Sequence, residues 1–465
     1  MSLKLYNTLT RRIEEVKPID GETIRMYTCG PTVYDFVHIG NFRTFVFQDL
    51  LRRYVCYKGF PLLHVMNITD VDDKIIDNAH KANLPIQEYT SRFEEAFFED
   101  METLGLQKPD VTPRATDHID AMVELILKLR EQGCTYESKG SIYYRIDSFP
   151  DYGKLAHLDL SQVSGEGRID TDEYTKENPR DFVLWKARKE GEAYWDTVLG
   201  SGRPGWHIEC SAMSMKYLGE SFDLHVGGVD LIFPHHENEI AQSEASTGQP
   251  FVRHWVHSEF LLVEGEKMSK SKGNQYTLRD ILEKGYDPLA VRYLLQSVHY
   301  RKQLNFTFEG VEQAQSALQR INDFLVRIRE VSDEIDENRG LSGKITQARV
   351  DCEAWLDEDL NTSGALGVLF DLIKQVNVSL ECREVGSVNR DQILSLITDV
   401  NRVLAVFQVE TPVLEDQEIT NMIEQREQAR LQNDYQRADE IRDALVQQGI
   451  TLEDTQGGTR WKRLI

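Results

Sequence analysis

No run of this 465-residue chain is apolar for long enough to cross a bilayer, although 40% of its residues are hydrophobic, enough for substantial cores. Residues 1–18 are polar and mixed in charge, without the apolar centre of a secretory signal, so a cytoplasmic protein is expected. Cysteine is scarce. Its six copies, at 29, 56, 134, 210, 352 and 382, show no framework spacing, which argues against a disulfide scaffold and suits a reducing compartment. Any special cysteine is then a ligand or a nucleophile rather than half of a bridge. Positive charge is also short: 53 Lys and Arg against 77 Asp and Glu leave a net charge of −24. Taken alone, that argues against a generic nucleic-acid binder, because neutralising phosphate needs cations. Net charge reports solubility rather than local potential, however. Arg460, Lys462 and Arg463 surround Trp461 in a basic aromatic cluster. There is no internal repeat and no extended low-complexity segment.

What is present is rhythm. Between residues 24 and 110, strand-like and helix-like runs alternate: 24–28, a helix opening at Asn41, 62–67, then a long helical pattern. That is the signature of a parallel α/β sheet with crossover helices. Pro109 and Pro113 mark a change of texture. The stretch 114–205 begins helical and then turns irregular through Gly-, Asp- and Glu-rich loops, so it reads as an insertion. The α/β rhythm returns near Trp206, with a strand at 222–226 and a helix at 234–245 that carries proline near its first turn. Beyond Phe308, Val311, Ala314, Leu318, Ile321, Leu325 and Ile328 step by three and four and share one helix face. The expected architecture is an α/β parallel-sheet domain (1–113 and 206–257) split by an insertion (114–205). A linker region (258–308), an all-α helix bundle (309–410) and a small C-terminal domain (411–465) follow.

Two short segments carry chemistry. His38-Ile39-Gly40-Asn41 sits between the first strand and the first helix, where backbone N–H groups and the helix dipole favour phosphate. Lys267-Met268-Ser269-Lys270-Ser271 lies on a polar stretch between a strand-like run at 258–263 and a helix-like run at 278–282. Two lysines bracketing small hydroxyl residues can close over a triphosphate and neutralise charge that develops there. A metal constellation stands beside them. Cys29 directly follows the first strand, Cys210 follows Trp206-His207-Ile208-Glu209, and His235-His236-Glu237-Asn238-Glu239 opens a helix. His235 and Glu239, four apart, fall on one helix face. His236 and Glu237 are chemically as suitable, and spacing does not separate them. A solvated loop, a helix cap and a buried small cysteine are the ordinary fates of such residues.

Together, the first two segments resemble the HIGH and KMSKS signatures of class I aminoacyl-tRNA synthetases. The second matches letter for letter. The first departs at Asn41, where the family has histidine; asparagine still donates a hydrogen bond but carries no proton charge. Further runs resemble the cysteinyl-tRNA synthetase family over essentially the whole chain: 26–35 around Cys29, 67–75, 181–186, 205–213 around Cys210, and 233–243. One local departure is His225-Val226-Gly227-Gly228-Val229-Asp230, where a third glycine is common.

The resemblance implies a Rossmann-like catalytic domain and a two-step reaction. L-Cysteine and ATP give cysteinyl adenylate and pyrophosphate, and the cysteine then passes to its cognate tRNA. It implies one Zn2+ per chain on Cys29, Cys210, His235 and Glu239, and Mg2+ arriving with ATP. ATP would be met by His38, Gly40, Asn41, Lys267 and Lys270, with Lys270 foremost. The amino acid would be met by Gly30, Thr32, Thr69, Trp206 and Asp230. The bundle and C-terminal domain would meet tRNA, the latter at the anticodon through Arg460, Trp461, Lys462 and Arg463. No membrane and no obligatory protein partner are expected. Zinc gives such an enzyme a way to tell a thiol from a hydroxyl that a pocket measuring volume lacks. Three rivals are weaker. A ligase that passes cysteine to a small amine has little use for the helical units beyond residue 308. A non-catalytic zinc-stabilised RNA-binding module would not need the 267–271 loop. A zinc hydrolase would need a His-Glu-x-x-His order and an open water position.

Overall fold

A computed structural model describes all residues except 1–2, 159–175, 177, 179, 270–271, 410–412, 433, 448–449, 456–457 and 464–465, with backbone alone at 413–418, 447, 453–455, 458 and 460–463. The chain forms two compact units. One comprises Met1–Lys284, Leu295–Phe306 and Ala354–Ser363; the other comprises Gly285–Leu294, Thr307–Glu353 and Gly364–Ile465.

The first unit is built on a four-stranded parallel sheet. Its order is Val252–Ser258, Phe222–Gly228, Ile24–Thr28, Leu62–Met66. Ile24, Met26, Tyr27 and Thr28 are buried, as is every residue of Phe222–Gly228, as expected of strands covered on both faces. The chain runs outward from Ile24–Thr28 in one direction and returns to its other side with Phe222–Gly228. The topological switch point therefore lies between those two strands, where open α/β sheets place their ligands. The helix Ile39–Tyr57 follows the first strand and buries Phe42, Phe45, Val46, Leu50 and Leu51. Its N-cap is His38, whose side chain accepts from the Asn41 N–H at 3.2 Å.

Three elements differ from the sequence reading. The strand-like run at 258–263 is two strands, Val252–Ser258 in the parallel sheet and Leu261–Val263 in a separate three-stranded sheet. His254 and His257 are buried in the first of these and mask its apolar character. The helix at 234–245 begins later, at Glu237–Thr247, after the turn Ile232–His236 with its cis Phe233–Pro234 bond. The insertion is more ordered than its loop-like composition suggests. After the helix Ile119–Glu131 comes a five-stranded antiparallel sheet, ordered Thr135–Ser138, Ser141–Tyr144, Phe182–Ala187, Gly200–Pro204, Trp195–Thr197. These strands are three to six residues long, too short to show a period.

Leu261–Val263 turns back through Glu264 and Gly265, both at positive φ, to Glu266–Lys267. That two-residue loop is a tight hairpin of the kind whose twist matches the strands. Lys267 is exposed there. The second unit is helical. Val311, Ala314, Leu318, Ile321, Leu325 and Ile328 are all buried on Phe308–Arg329. It ends with the helices Val413–Leu431 and Tyr435–Gln447 and a hairpin of Ile450–Thr455 with Gly458–Arg463. Arg460, Trp461, Lys462 and Arg463 lie on that last strand, with Trp461 opposite Leu452.

Candidate metal and nucleotide site

The site grows out of the switch point. Cys29 is the first residue beyond Ile24–Thr28, and Cys210 is in the second turn of the helix Trp206–Leu218. His235 lies in the turn Ile232–His236 that precedes Glu237–Thr247, and Glu239 sits on the first turn of that helix. The structure brings these four side chains together: their donor atoms all lie within 4.8 Å of one another. Cys210, His235 and Glu239 are at most 1% exposed. Trp206 lies flat on His235, ring centroids 4.2 Å apart, and His207 Nδ1 meets His235 Nδ1 at 2.9 Å.

The donors fit a soft divalent cation. Two sulfurs, an imidazole nitrogen and a carboxylate oxygen are a zinc set, and thiolates disfavour magnesium or calcium. Glu239 Oε1 is buried and accepts no hydrogen bond among the described residues, although His235 Nε2 lies 3.0 Å away. A cation at the centre of the cluster would satisfy that oxygen. Without a metal, protons hold the cluster's charge in balance. The contact between the two sulfurs holds Cys29 well above its ordinary pKa and pulls Cys210 down to about 6, and zinc would displace such protons on binding. Burial pushes His235 down, but Glu239 and Cys210 outweigh it and hold the imidazole at about 10. Burial likewise pushes Glu239 up, and His225 and His235 overrule it, holding the carboxyl at about 2.

The alternatives left open by spacing separate here. Glu237 turns away and accepts N–H bonds from Gly153, Leu155 and Ala156 of the insertion. His236 remains close. With Cys29, His225 and Glu239 it forms a second, overlapping set whose donors also lie within 4.8 Å. His236 Nε2 is 3.4 Å from Cys29 Sγ, and its Nδ1 is 2.8 Å from His257 Nε2. His257 Nδ1 in turn meets Thr8 Oγ1 at 2.8 Å. Burial, aided by the neighbouring imidazoles, pushes His236 well below its ordinary pKa, and burial takes His257 to about 3. Sequence reasoning missed this histidine layer. Its only signal is imidazole inside strand-like runs, at His225, His254 and His257.

The remaining predicted residues surround the cluster. A β-carbon on Gly30 would lie 1.7 Å from the Asn67 carbonyl oxygen, so only glycine fits this close approach. Thr32 and Thr69 pair as an isolated parallel bridge, and Thr69 Oγ1 donates to Glu209 Oε2 at 3.1 Å. Asp230 is exposed on the turn Val229–Leu231 that ends the Phe222–Gly228 strand. At the nucleotide segment, Ile39 N–H donates to Tyr276 O at 2.8 Å, and His38 bridges Thr277. A β-carbon on Gly40 would lie 2.5 Å from the Met268 methyl group. The two signature segments are thus adjacent. Lys270 lies outside the described residues, and of Arg460, Trp461, Lys462 and Arg463 only the backbone is described.

Comparison with known proteins gives the family and the fold. The family described as tRNA synthetases class I (C) catalytic domain matches residues 15–316, and the DALR domain matches 352–408. A cysteine–tRNA ligase of Brachyspira hyodysenteriae is 50% identical over 98% of this chain and 98% of its own length. One of Solibacter usitatus is 50% identical over 100% of each. Among solved structures, Mycobacterium tuberculosis methionyl-tRNA synthetase in complex with methionyl-adenylate superposes with a TM-score of 0.60 at 16% identity. That pair covers 82% of this chain and 89% of the other, a likeness of fold. The full-length identity and the catalytic-domain match place the chain in the cysteine–tRNA ligase family of the class I aminoacyl-tRNA synthetases.

Proposed function

We propose that the aminoacylation of tRNA with cysteine carried by this membership runs through cysteinyl adenylate, with zinc at Cys29, Cys210, His235 and Glu239 selecting the substrate's sulfur. The observation that supports it best is the four-donor cluster at the switch point of the sheet, with Cys210, His235 and Glu239 buried and Cys29 half-buried. A bound zinc lowers the pKa of a thiol and prefers sulfur to a hydroxyl oxygen, which separates cysteine from serine without a proofreading site.

The chain's own residues then act by position. The substrate's thiol enters beside Trp206, with Gly30, Thr32, Thr69 and Asp230 around its amino and carboxyl groups. The carboxylate attacks the α-phosphate of ATP and pyrophosphate leaves. No protein nucleophile is needed, so catalysis is orientation and charge stabilisation. The ATP phosphates lie at the start of Ile39–Tyr57, near His38, Gly40 and Asn41, with Lys267 and Lys270 closing over them. His38 Nδ1 caps the helix, so its Nε2 is the nitrogen assigned to ATP. Magnesium comes with the nucleotide. The terminal ribose hydroxyl of tRNA next takes the cysteinyl group. The DALR match and the helices beyond Phe308 favour tRNA over a small amine as acceptor. Trp461 and its basic neighbours would meet the anticodon, and the reaction would take place in the cytoplasm.

The test is metal analysis with amino-acid-dependent ATP–pyrophosphate exchange across cysteine, serine and alanine. One zinc per chain and exchange with cysteine alone are expected. Zinc-stripped enzyme that still prefers cysteine over serine by the same factor overturns the metal's role.

A further inference from the structure

Glu209 stands next to a member of the four-donor cluster yet takes no part in it. A directed hydrogen-bond chain ends on it instead. Gly30 N–H donates to Asn67 Oδ1 at 3.0 Å, Asn67 Nδ2 donates to Thr69 Oγ1 at 3.1 Å, and Thr69 Oγ1 donates to Glu209 Oε2 at 3.1 Å. Asn67, Thr69 and Glu209 are at most 2% exposed. A backbone N–H can only donate, so the first bond orients the Asn67 amide and turns its NH2 toward Thr69. A hydroxyl has one proton and two lone pairs. At Thr69 the proton goes to Glu209 and one lone pair to Asn67, which leaves a single lone pair. Glu209 Oε2 can accept either as a carboxylate oxygen or as the carbonyl oxygen of the acid. The direction from Thr69 to Glu209 holds for the carboxylate and for the acid with its proton on Oε1.

We propose that Glu209 is a specificity-determining positioning residue that, acting through Thr69, makes this edge of the pocket an acceptor for the ammonium group of the amino acid. This rests on the reading of Thr69 as an amino-acid contact given above. An α-ammonium brings three donors and no acceptor, so it matches the remaining lone pair. A carboxylate would set lone pair against lone pair. The subsite thereby chooses which end of a zwitterion lies against Thr69, and it gains nothing from a thiol acid without an amine. Without Glu209 the Thr69 proton is free to turn, and that choice is lost.

The test uses the zinc-loaded enzyme and two probes, L-cysteine and 3-mercaptopropionate, which keeps the thiol and carboxylate but lacks the ammonium. Glu209→Ala should raise the KM for cysteine in pyrophosphate exchange about tenfold, the order expected for one lost hydrogen bond to a charged group. Zinc content, KM for ATP and the inhibition constant of 3-mercaptopropionate should not change. Glu209→Gln, whose amide oxygen still accepts from Thr69, should restore the KM. Thr69→Val should cost as much as Glu209→Ala, and the double variant no more than either. Equal weakening of both probes, or additive effects, overturns the proposal. Should Glu209→Ala fail to fold, Glu209→Met fills the same space without an acceptor and carries the same test. Absence of cysteine-dependent exchange in the unmutated enzyme would sink the proposed function itself; selective exchange with unselective loss in the variants would sink this inference alone.

Discussion

Met268 lies against Gly40: a β-carbon on that glycine would come within 2.5 Å of the methionine methyl, so the second signature segment rests on the first. His38, which caps the same helix, bridges Thr277 on the far side of the loop. The nucleotide segment is therefore lined partly by the loop proposed to close over it.

Gly40→Ala should separate fold from function. The nearest obstructing atom is the free end of a flexible side chain, with the His38 ring next at 3.1 Å. The strain should stay near the low end of the about 1–3 kcal/mol of overpacking and be partly offset by alanine's better helix propensity. The thermal midpoint should fall only slightly, while the KM for ATP in pyrophosphate exchange rises about tenfold or more. Met268→Ala in the same chain should recover part of that loss. A large drop in melting temperature with normal ATP dependence would assign Gly40 to packing alone.

Removing the metal, or one of its holders, should strike selectivity before it strikes the fold. Cys210→Ser should lower zinc from one per chain to a small fraction, because a hydroxyl is a poor zinc ligand and remains protonated. Exchange with cysteine should fall by at least about a hundredfold, the scale seen when one electrostatic stabiliser is lost. His236→Gln distinguishes the two overlapping sets: zinc held by Cys29, Cys210, His235 and Glu239 should survive it. Loss of zinc in that variant would shift the assignment to the set containing His225 and His236.

Acid should destabilise the sheet through a histidine away from the cluster. His64 is buried, its Nε2 is 2.9 Å from Thr28 Oγ1, and burial holds its pKa at about 3. Its folded-state value lies below that of the unfolded chain, about 6.5. Between those values the unfolded state binds the extra proton, so stability falls as pH drops from about 6.5 toward 3. The slope is at most about 1.4 kcal/mol per pH unit from this residue. Unfolding free energies of His64→Gln against the unmutated chain, at pH 7, 6 and 5, should converge as pH falls. Parallel curves would mean that His64 titrates alike in the folded and unfolded chain.

How far sequence carries can be read from individual elements. The strands Ile24–Thr28 and Leu62–Met66 are legible because large apolar residues dominate both, although Arg25 and His64 interrupt them. The strand Val252–Ser258 is not, because His254 and His257 look polar in sequence and are buried in fact. The proximity of Cys29 to Cys210 cannot be read from spacing: a five-stranded sheet of very short strands intervenes, and only the closing of the parallel sheet brings them together. His236 and Glu237 are equal candidates beside His235 by residue type, and it takes three backbone N–H groups of the insertion to claim Glu237. Which donor faces a cluster is a tertiary fact, and side-chain type does not encode it. Resemblance names the residues around the pocket, but not Glu209, whose part depends on the direction of hydrogen bonds.

Lys270→Ala should slow adenylate formation severely while leaving zinc untouched. In sequence the lysine follows the exposed hairpin strand Glu266–Lys267 on a polar stretch, so its removal should spare the cores. Loss of one cation from a transition state that gains negative charge costs about 10²- to 10³-fold in rate. Single-turnover formation of cysteinyl adenylate should slow by that factor, with KM for cysteine changed far less. Normal adenylate formation would remove the lysine from the mechanism.

Trp461→Ala probes the other end of the reaction. The tryptophan lies on Gly458–Arg463, paired through its backbone with Leu452, so truncating the side chain leaves the hairpin's hydrogen bonds in place. Base–aromatic stacking is worth about 1–3 kcal/mol per base. If the ring stacks on an unpaired base of tRNA, kcat/KM for tRNA charging should fall about 5- to 150-fold. Cysteine-dependent pyrophosphate exchange, which needs no tRNA, should be unchanged. Arg460→Ala and Lys462→Ala should instead flatten the salt dependence of tRNA binding, because a phosphate that no longer meets a protein cation keeps its counterions. Equal loss of exchange and charging in Trp461→Ala would show that the residue supports folding and would take the anticodon contact elsewhere.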